Sequence, residues 1–520
     1  MKNALNTFRQ MIIAGVLAVL CCTGLLLVSS LIPQESIAAN AKASADYYMS
    51  HILFENQIEN QAATKRDNYA DCISSCIAWQ LGNRTPVTET APDGGADAVN
   101  DRSNIWTNIL EARYTRGEQE NVNEGFYHAV YEGAAGNQTY SRYWHGSAAV
   151  IRLLYPFMDI SAMRIAMLIA GIALSLAWVA YLVFKREYAI ATAYLLGSVA
   201  IRAVFAFTCF EYAYVCLMVP VFSFLVYFIC REREIQAGTA RYVTDNTEKT
   251  GKKSFGIAAI RMETIFLIAG ILTCFFDFLT AETLTFTIPA FILFACLERT
   301  DDRPFVIVRE NDNKSGKAGA WKLFINIAAS WMTGYAGMFL LKWLLTLLFL
   351  GKEEFMSALS TAAERSIGAV HETNNLASPT VGVIVRIVRI LSSNFACLFG
   401  LPDSLNERAT WLILIGIFAA IGLLWFFLRK KDEKRTKGSA SKQKKKKDFS
   451  FLFVYLILML LPIARFFVLS NHAYMHYFFT YRALMATVTA GTYVFIKTTV
   501  LNSLFVPQNR PLPHRNRGAR

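Results

Sequence analysis

No P-loop, no GxSxG turn, no HExxH helix, no CxxC pair and no internal repeat occurs in these 520 residues. These absences remove the phosphate-cradling NTPases, the nucleophile-elbow hydrolases, the zincins, the dithiol and zinc folds recognised by spacing, and the repeat architectures. Cysteine is present ten times but offers little chemistry. Cys21, Cys22, Cys216, Cys230, Cys274 and Cys296 fall in apolar stretches, where the thiol behaves as a small hydrophobe. Cys72 and Cys76 are four apart on an expected helix, a spacing ill suited to a disulfide.

What the chain does have is apolar length. A hydrophobic fraction of 54%, a mean hydropathy of +0.32 and 38 phenylalanines place it among integral membrane proteins. Apolar stretches near 11–31, 162–184, 188–208, 211–230, 257–278, 281–297, 323–349, 410–428, 451–470 and 482–503 approach the roughly 20 residues that cross a bilayer core. Without water to satisfy backbone groups, each is expected to be a helix. The expected fold is therefore an all-α integral membrane protein of about ten transmembrane helices, with a large, mainly helical extracytoplasmic domain after the first.

The domain is residues 32–161, whose 9 Lys/Arg and 16 Asp/Glu give a net charge of −7 in a chain of +13. Basic residues fall in alternate connections: Lys2 and Arg9, Lys185 and Arg186, the loops after spans four and six, the connection 429–448, and the tail with Arg510 to Arg520. That connection alone carries 11 Lys/Arg against 3 Asp/Glu. The positive-inside rule then puts both termini in the cytoplasm of a multi-pass plasma-membrane protein. The expected sequence of parts is 1–31, the domain 32–161, a bundle 162–349, outer interfacial helices 350–409, a second bundle 410–503 and a tail 504–520. Ala39-Asn40-Ala41 has the pattern of a signal-peptide cleavage site, but the preceding apolar run exceeds the usual 7–15 residues. An uncleaved anchor is expected.

Candidate chemistry gathers on the outer side. Residues 67–81 read as an amphipathic helix, with Tyr69, Cys72, Ile73, Cys76, Ile77 and Gln80 on one face and Asp67, Asp71, Ser74, Ser75 and Ala78 on the other. Asp67 suits a helix N-cap and Asp71 a first-turn acid; either can also be a general base at the membrane surface. Glu35, just beyond the first span, sits at the depth of a lipid phosphate. The stretch Tyr140-Ser141-Arg142-Tyr143-Trp144-His145-Gly146 combines rings that suit sugar faces or a membrane interface with a guanidinium fork and an imidazole. Asn471 to Arg482 repeats that mixture with His472, His476, Tyr481 and Arg482. The two histidines share a helical face, but without a third metal ligand in view no metal site is assigned. Arg465, inside the ninth span, is costly unless it faces protein or water. Arg142, His145, His472, His476 and Arg482 are expected to surround one anion. Lys342, Arg386 and Arg389 fit snorkelling or phosphate contact, the last two on an interfacial helix with Ile384, Ile387, Val388 and Leu391.

A first helix followed at once by a large extracytoplasmic domain, then many spans and surface-lying helices, resembles the GT-C class of polyprenyl-phosphate-sugar-dependent glycosyltransferases. IPQES, YSRYWHG, WMTGYAG with KW, and NHAYMHYFFTYR look like landmarks of a family of bacterial polytopic membrane proteins found beside cell-surface polysaccharide genes. The resemblance implies inverting transfer of a sugar from a lipid phosphate to an acceptor hydroxyl on the outer face, with a first-loop acid as base: Asp71, then Glu35, then Asp67. Implied partners are a lipid-linked sugar donor, membrane lipid and a glycan acceptor, with no nucleic acid. Arg142, Tyr143, Trp144, His145, Arg465, His472, His476, Tyr481 and Arg482 would hold donor phosphate and sugar. No cofactor is certain, and a divalent cation stays open. The chain departs from the common GT-C pattern in lacking an Asp immediately after the first span. A polysaccharide polymerase or ligase, and a transporter or flippase of a lipid-linked glycan, are the competing classes.

Overall fold

The computed structural model describes residues 2–82, 87–89, 98–100, 104–244, 261–299, 316–367, 379–437 and 449–505. The basic segments 438–448 and 506–520, with most of the loops after the expected fourth and sixth spans, lie outside the described residues. About 79% of the chain is helical and the strands are three residues long, so the architecture is all-α.

The amino-terminal half comprises α1 (Lys2–Ser30), α2 (Gln34–Met49), α3 (Asn68–Gln80), α4 (Ile105–Glu111), α5 (Val122–Tyr131), α6 (Gly146–Leu154), α7 (Ile160–Phe184), α8 (Tyr188–Ala200), α9 (Ala203–Ala206) and α10 (Phe210–Thr244). It continues with α11 (Met262–Phe276), α12 (Leu284–Arg299), α13 (Gly316–Phe349), α14 (Lys352–Ile367) and α15 (Pro379–Phe399). The carboxy-terminal part is α16 (Glu407–Lys437), α17 (Phe449–Val468), α18 (Ser470–Met475), α19 (Tyr477–Thr480), a 3-10 turn Tyr481–Leu484, α20 (Met485–Thr498) and α21 (Asn502–Phe505). A short hairpin pairs β1 (Phe54–Asn56) with β2 (Lys65–Asp67), Phe54 opposite Asp67, and delivers the chain to the start of α3. A second joins Val87–Glu89 to Ala98–Asn100.

Among the described residues six helices are long and apolar enough to cross a membrane: Thr7–Ser30, Ile160–Phe184, Phe210–Glu232, Ala320–Phe349, Glu407–Glu433 and Phe451–Val468. The expectation of ten differs at α8, α11, α12 and α20, which run for 13, 15, 16 and 14 residues. The last begins only at Met485 because Tyr481–Leu484 forms a 3-10 turn. A helix enclosed by others need not match the hydrocarbon thickness, since its surroundings are protein. α11 is such a helix. A Cβ on its Gly270 would strike the Trp331 carbonyl of α13, and one on Gly334 would strike the Leu267 carbonyl, so the two backbones touch directly.

The described part of the 32–161 segment packs directly against the long helices. α2, α3, α5 and α6 share a hydrophobic core with α1, α11 and α13 through residues such as Leu26, Ile37, Ile77, Phe126, Trp144, Phe275 and Met338. Arg152 of α6, fully buried, pins this junction by donating to four carbonyls: Ser29 in the last turn of α1, Ile32 just beyond it, and Ala78 and Trp79 in the last turn of α3. A cation is favourable at the carboxy-terminal ends of two helices. A second core unites α8, α10, α12, α17 and α20.

Candidate functional site

α3 starts where its sequence says it should. Asp67 caps it, its Oδ1 accepting from the Ala70 amide at 2.9 Å. The face bearing Asp67, Asp71, Ser74 and Ser75 is buried as completely as the apolar one, because it meets a complementary polar face from α7 and α10. Asp71 is wholly enclosed. Its Oδ2 accepts from Arg164 Nη2 at 2.6 Å and Nε at 3.0 Å and from the Phe210 amide at 3.2 Å. Its Oδ1 accepts from the Glu211 amide at 3.2 Å and the Cys209 thiol at 3.4 Å. Arg164 also reaches Asn68 Oδ1 and the Tyr47 hydroxyl. The small neighbours that would leave room for a substrate at Asp71 instead leave room for Arg164. With all its acceptor positions filled, Asp71 is placed as the anchor of α7 and α10 on α3.

Asp67 stands differently. Besides its capping bond it accepts only from the Tyr212 hydroxyl, at 2.7 Å. Burial pushes its carboxyl up to about 6, against the capping amide and Tyr212, which favour the ion. A carboxylate in that range exchanges a proton near neutral pH. The far face of the same Tyr212 ring carries Arg482, whose guanidinium carbon lies 4.6 Å from the ring centre and 5.4 Å from that of Tyr481. Tyr481 donates to the Ala63 and Ile201 carbonyls, tying the 3-10 turn to the β1–β2 hairpin and the end of α8. Of the twelve expected site residues, Asp67, Asp71, Tyr481 and Arg482 therefore share one buried neighbourhood across α3, α10 and the turn before α20. Glu35 is exposed in the first turn of α2 and outside it.

The 140–146 and 471–476 motifs meet elsewhere, on the connection between α11 and α12. Tyr143 and His145 pack on Phe278 at 5.1 Å each. His472 Nε2 lies 2.9 Å from the Leu279 carbonyl, which also accepts from Arg465. Leu279 has φ +64, and its upturned carbonyl is what both cationic residue types address. Arg465 completes an ion pair with Glu282 at 2.6 and 2.9 Å. His145 is bound through Nε2 to the Tyr140 carbonyl at 2.6 Å, and burial, reinforced by the Lys342 charge, pushes its imidazole down to about 3, so it is neutral. Trp144 donates to the Met338 carbonyl at 2.7 Å. Arg142 lies over Tyr140 at 4.1 Å, and His476 stacks on Phe479. Of the five residues expected around one anion, His145 and His472 reach the α11–α12 connection, Arg142 lies over Tyr140, and His476 stacks on Phe479, whose ring is 5.1 Å from that of Tyr212, on which Arg482 rests.

Sequence reasoning missed Arg164, Cys209, Glu211, Tyr212 and Glu282. Arg164 carried a usable signal, an arginine four residues into an apolar span, as did Glu211 at the start of another. Glu211 is buried with its Oε1 accepting from Ser74 at 2.5 Å and Ser147 at 3.1 Å. Nothing marked Tyr212, an ordinary tyrosine in an apolar helix. Among the described residues no three His, Cys, Asp or Glu side chains converge as metal ligands. None of the ten cysteines forms a disulfide among the described residues, Cys72 and Cys76 included.

Six helices among the described residues have the length and apolar composition of membrane spans, and a buried polar layer joins two of them, α7 and α10, to α3, the features of an α-helical membrane protein. Beyond that class, no protein family, no curated protein and no solved structure matches this chain.

Proposed function

We propose that this protein is a GT-C-like glycosyltransferase of the plasma membrane, moving a sugar from a polyprenyl-phosphate donor to a cell-surface glycan or lipid acceptor at the outer face. The observation that carries the reading is Asp67: a buried carboxyl with one hydroxyl partner, Tyr212, drawn toward neutral pH, while the ring of that same tyrosine carries Arg482 from the turn before α20. In the reaction an acceptor hydroxyl attacks the anomeric carbon, the bond from that carbon to the phosphate oxygen breaks, the lipid phosphate leaves with the electron pair, and Asp67 takes the hydroxyl proton. Asp71 holds the frame. The proposal includes ten crossings, with the termini inside and 32–161 outside, the shorter helices α8, α11, α12 and α20 completing the count within the bundle.

Purified protein in nanodiscs, supplied with labelled polyprenyl-phosphate sugars and candidate acceptors, tests the reaction. Transfer is expected, and Asp67→Asn should lower it by about 10²-fold, the usual worth of a general base. Movement of the donor between leaflets with its bond intact would replace this reading with a transporter. Topology is checked separately by impermeant labelling of single cysteines at Asn100 and Ser441, with only the first expected to react in intact cells.

A further inference from the structure

Arg482 is 1% exposed, and none of its three guanidinium nitrogens has a hydrogen-bond partner among the described residues. The faces of Tyr212 and Tyr481 stabilise its charge but leave every N–H unsatisfied, and buried donors are rarely left so. The fold gives each of these other buried cations at least one oxygen partner: Arg152 has four carbonyls, Arg164 has Asp71, Arg465 has Glu282 with only its Nη1 left over, and Lys342 has the Leu110 carbonyl at 2.8 Å. A full charge without a counter-group in an apolar bundle costs several kcal/mol or more. An arginine fork with five free donors is the group that matches phosphoryl oxygens.

A groove of about 480 Å³ lies between α15, α16 and α18, lined by Arg389, Ser392, Cys397, Asp403, Thr410 and Tyr474 among others, with Arg482 behind its wall. Cys397 lines the groove, is within electrostatic reach of Arg482, Arg202 and Lys65, and through its carbonyl accepts from Arg202 Nη1 at 2.7 Å. The groove's carboxylates are engaged. Asp403 accepts from the Ala62 amide at 2.8 Å and Asn56 at 3.4 Å, and Glu407 lies 3.7 Å from Arg389. On α16 the face of Thr410 continues by helical spacing through Ile413 and Ile421, 38% and 46% exposed, an apolar track for an acyl or prenyl chain.

We infer that Arg482 is the inner end of a phosphoryl-binding site entered from the α15–α16–α18 groove, and that the phosphate it takes is carried on a lipid whose chain lies along α16. This deepens the glycosyltransferase reading by locating the donor phosphate, and it is tested by binding alone. Full-length protein in nanodiscs is titrated with a polyprenyl phosphate, with the same polyprenol lacking phosphate, and with inorganic phosphate, for the wild type, Arg482→Gln and Cys397→Trp. Polyprenyl phosphate should bind, the polyprenol at least 10-fold more weakly, and Arg482→Gln should lose at least 10-fold while unfolding at the same temperature or higher without ligand. Cys397→Trp, which fills the groove and leaves Arg482 in place, should lose binding as well; if it is unfolded, the Arg482→Gln comparison alone decides. Inorganic phosphate binding as tightly as the lipid would uphold the anion site and overturn its lipid source. Equal affinity in Arg482→Gln and wild type overturns the site even if transfer is observed. Binding intact with no transfer overturns only the enzymatic reading.

Discussion

Arg164 and Arg482 are both buried and both rest on tyrosine rings, Arg164 paired with Asp71 and Arg482 sharing Tyr212 with Asp67, yet one region is chemically closed and the other open. Around Arg164 every donor and acceptor answers another: Asp71, Asn68, Tyr47 and two α10 amides. Around Arg482 only ring faces answer, and the acid that shares Tyr212, Asp67, is bound by one hydroxyl and a capping amide. A closed region of this kind fixes how α7 and α10 meet α3. An open one, with a cation lacking a counter-group and a carboxyl poised to protonate, is where a ligand adds to stability instead of disrupting it.

The contrast is most exposed to test by removing the two arginines. Arg164→Leu should cost about 3–5 kcal/mol, because it strands a buried carboxylate. The fall should appear in the unfolding temperature of the detergent-solubilised protein, with part restored in Arg164→Leu/Asp71→Asn. A matching loss in Arg482→Gln would erase the distinction.

The next largest effect is in the pH dependence of stability. The folded-state carboxyl of Asp67 is raised above its ordinary value of 3.8 to about 6, so the fold favours its protonated form. That advantage is fully present below pH 3.8 and is lost as pH rises through about 6, amounting to roughly 3 kcal/mol by linkage. Asp67→Asn keeps the helix cap, since Asn caps as well as Asp. Its stability should therefore lack this decline; a parallel decline in both proteins would assign the titration elsewhere.

In activity, Asp67→Asn should fall about 10²-fold with donor binding retained. Asp71→Asn should instead show its loss in folded yield, and a fully folded, inactive Asp71→Asn would return the base to Asp71. Smallest is Tyr212→Phe, which keeps the ring beneath Arg482 and removes one hydrogen bond to a charged group, worth about 1.5–3 kcal/mol. Activity should shift its dependence to higher pH, because the lost donor had stabilised the Asp67 carboxylate; an unmoved profile would remove Tyr212 from the site.

Composition and periodicity by themselves determined that this is a helical membrane protein, where its long spans lie, and that α3 begins at Asp67 with Asp71 in its first turn. Those properties are local: a run of apolar residues, a capping acid and a 3.6-residue period act within one segment wherever it ends up. Which acid is locked and which is free was decided only by tertiary structure, because Arg164 and Tyr212 arrive from helices 93 and 145 residues away. The same holds for the two histidine motifs. Residue type marked them as polar groups at one depth, but their partners are Phe278 and the Leu279 carbonyl, a turn with no motif of its own. A buried charge takes its meaning from the groups that surround it, and a linear chain does not say which those are until helices from distant segments have packed against each other.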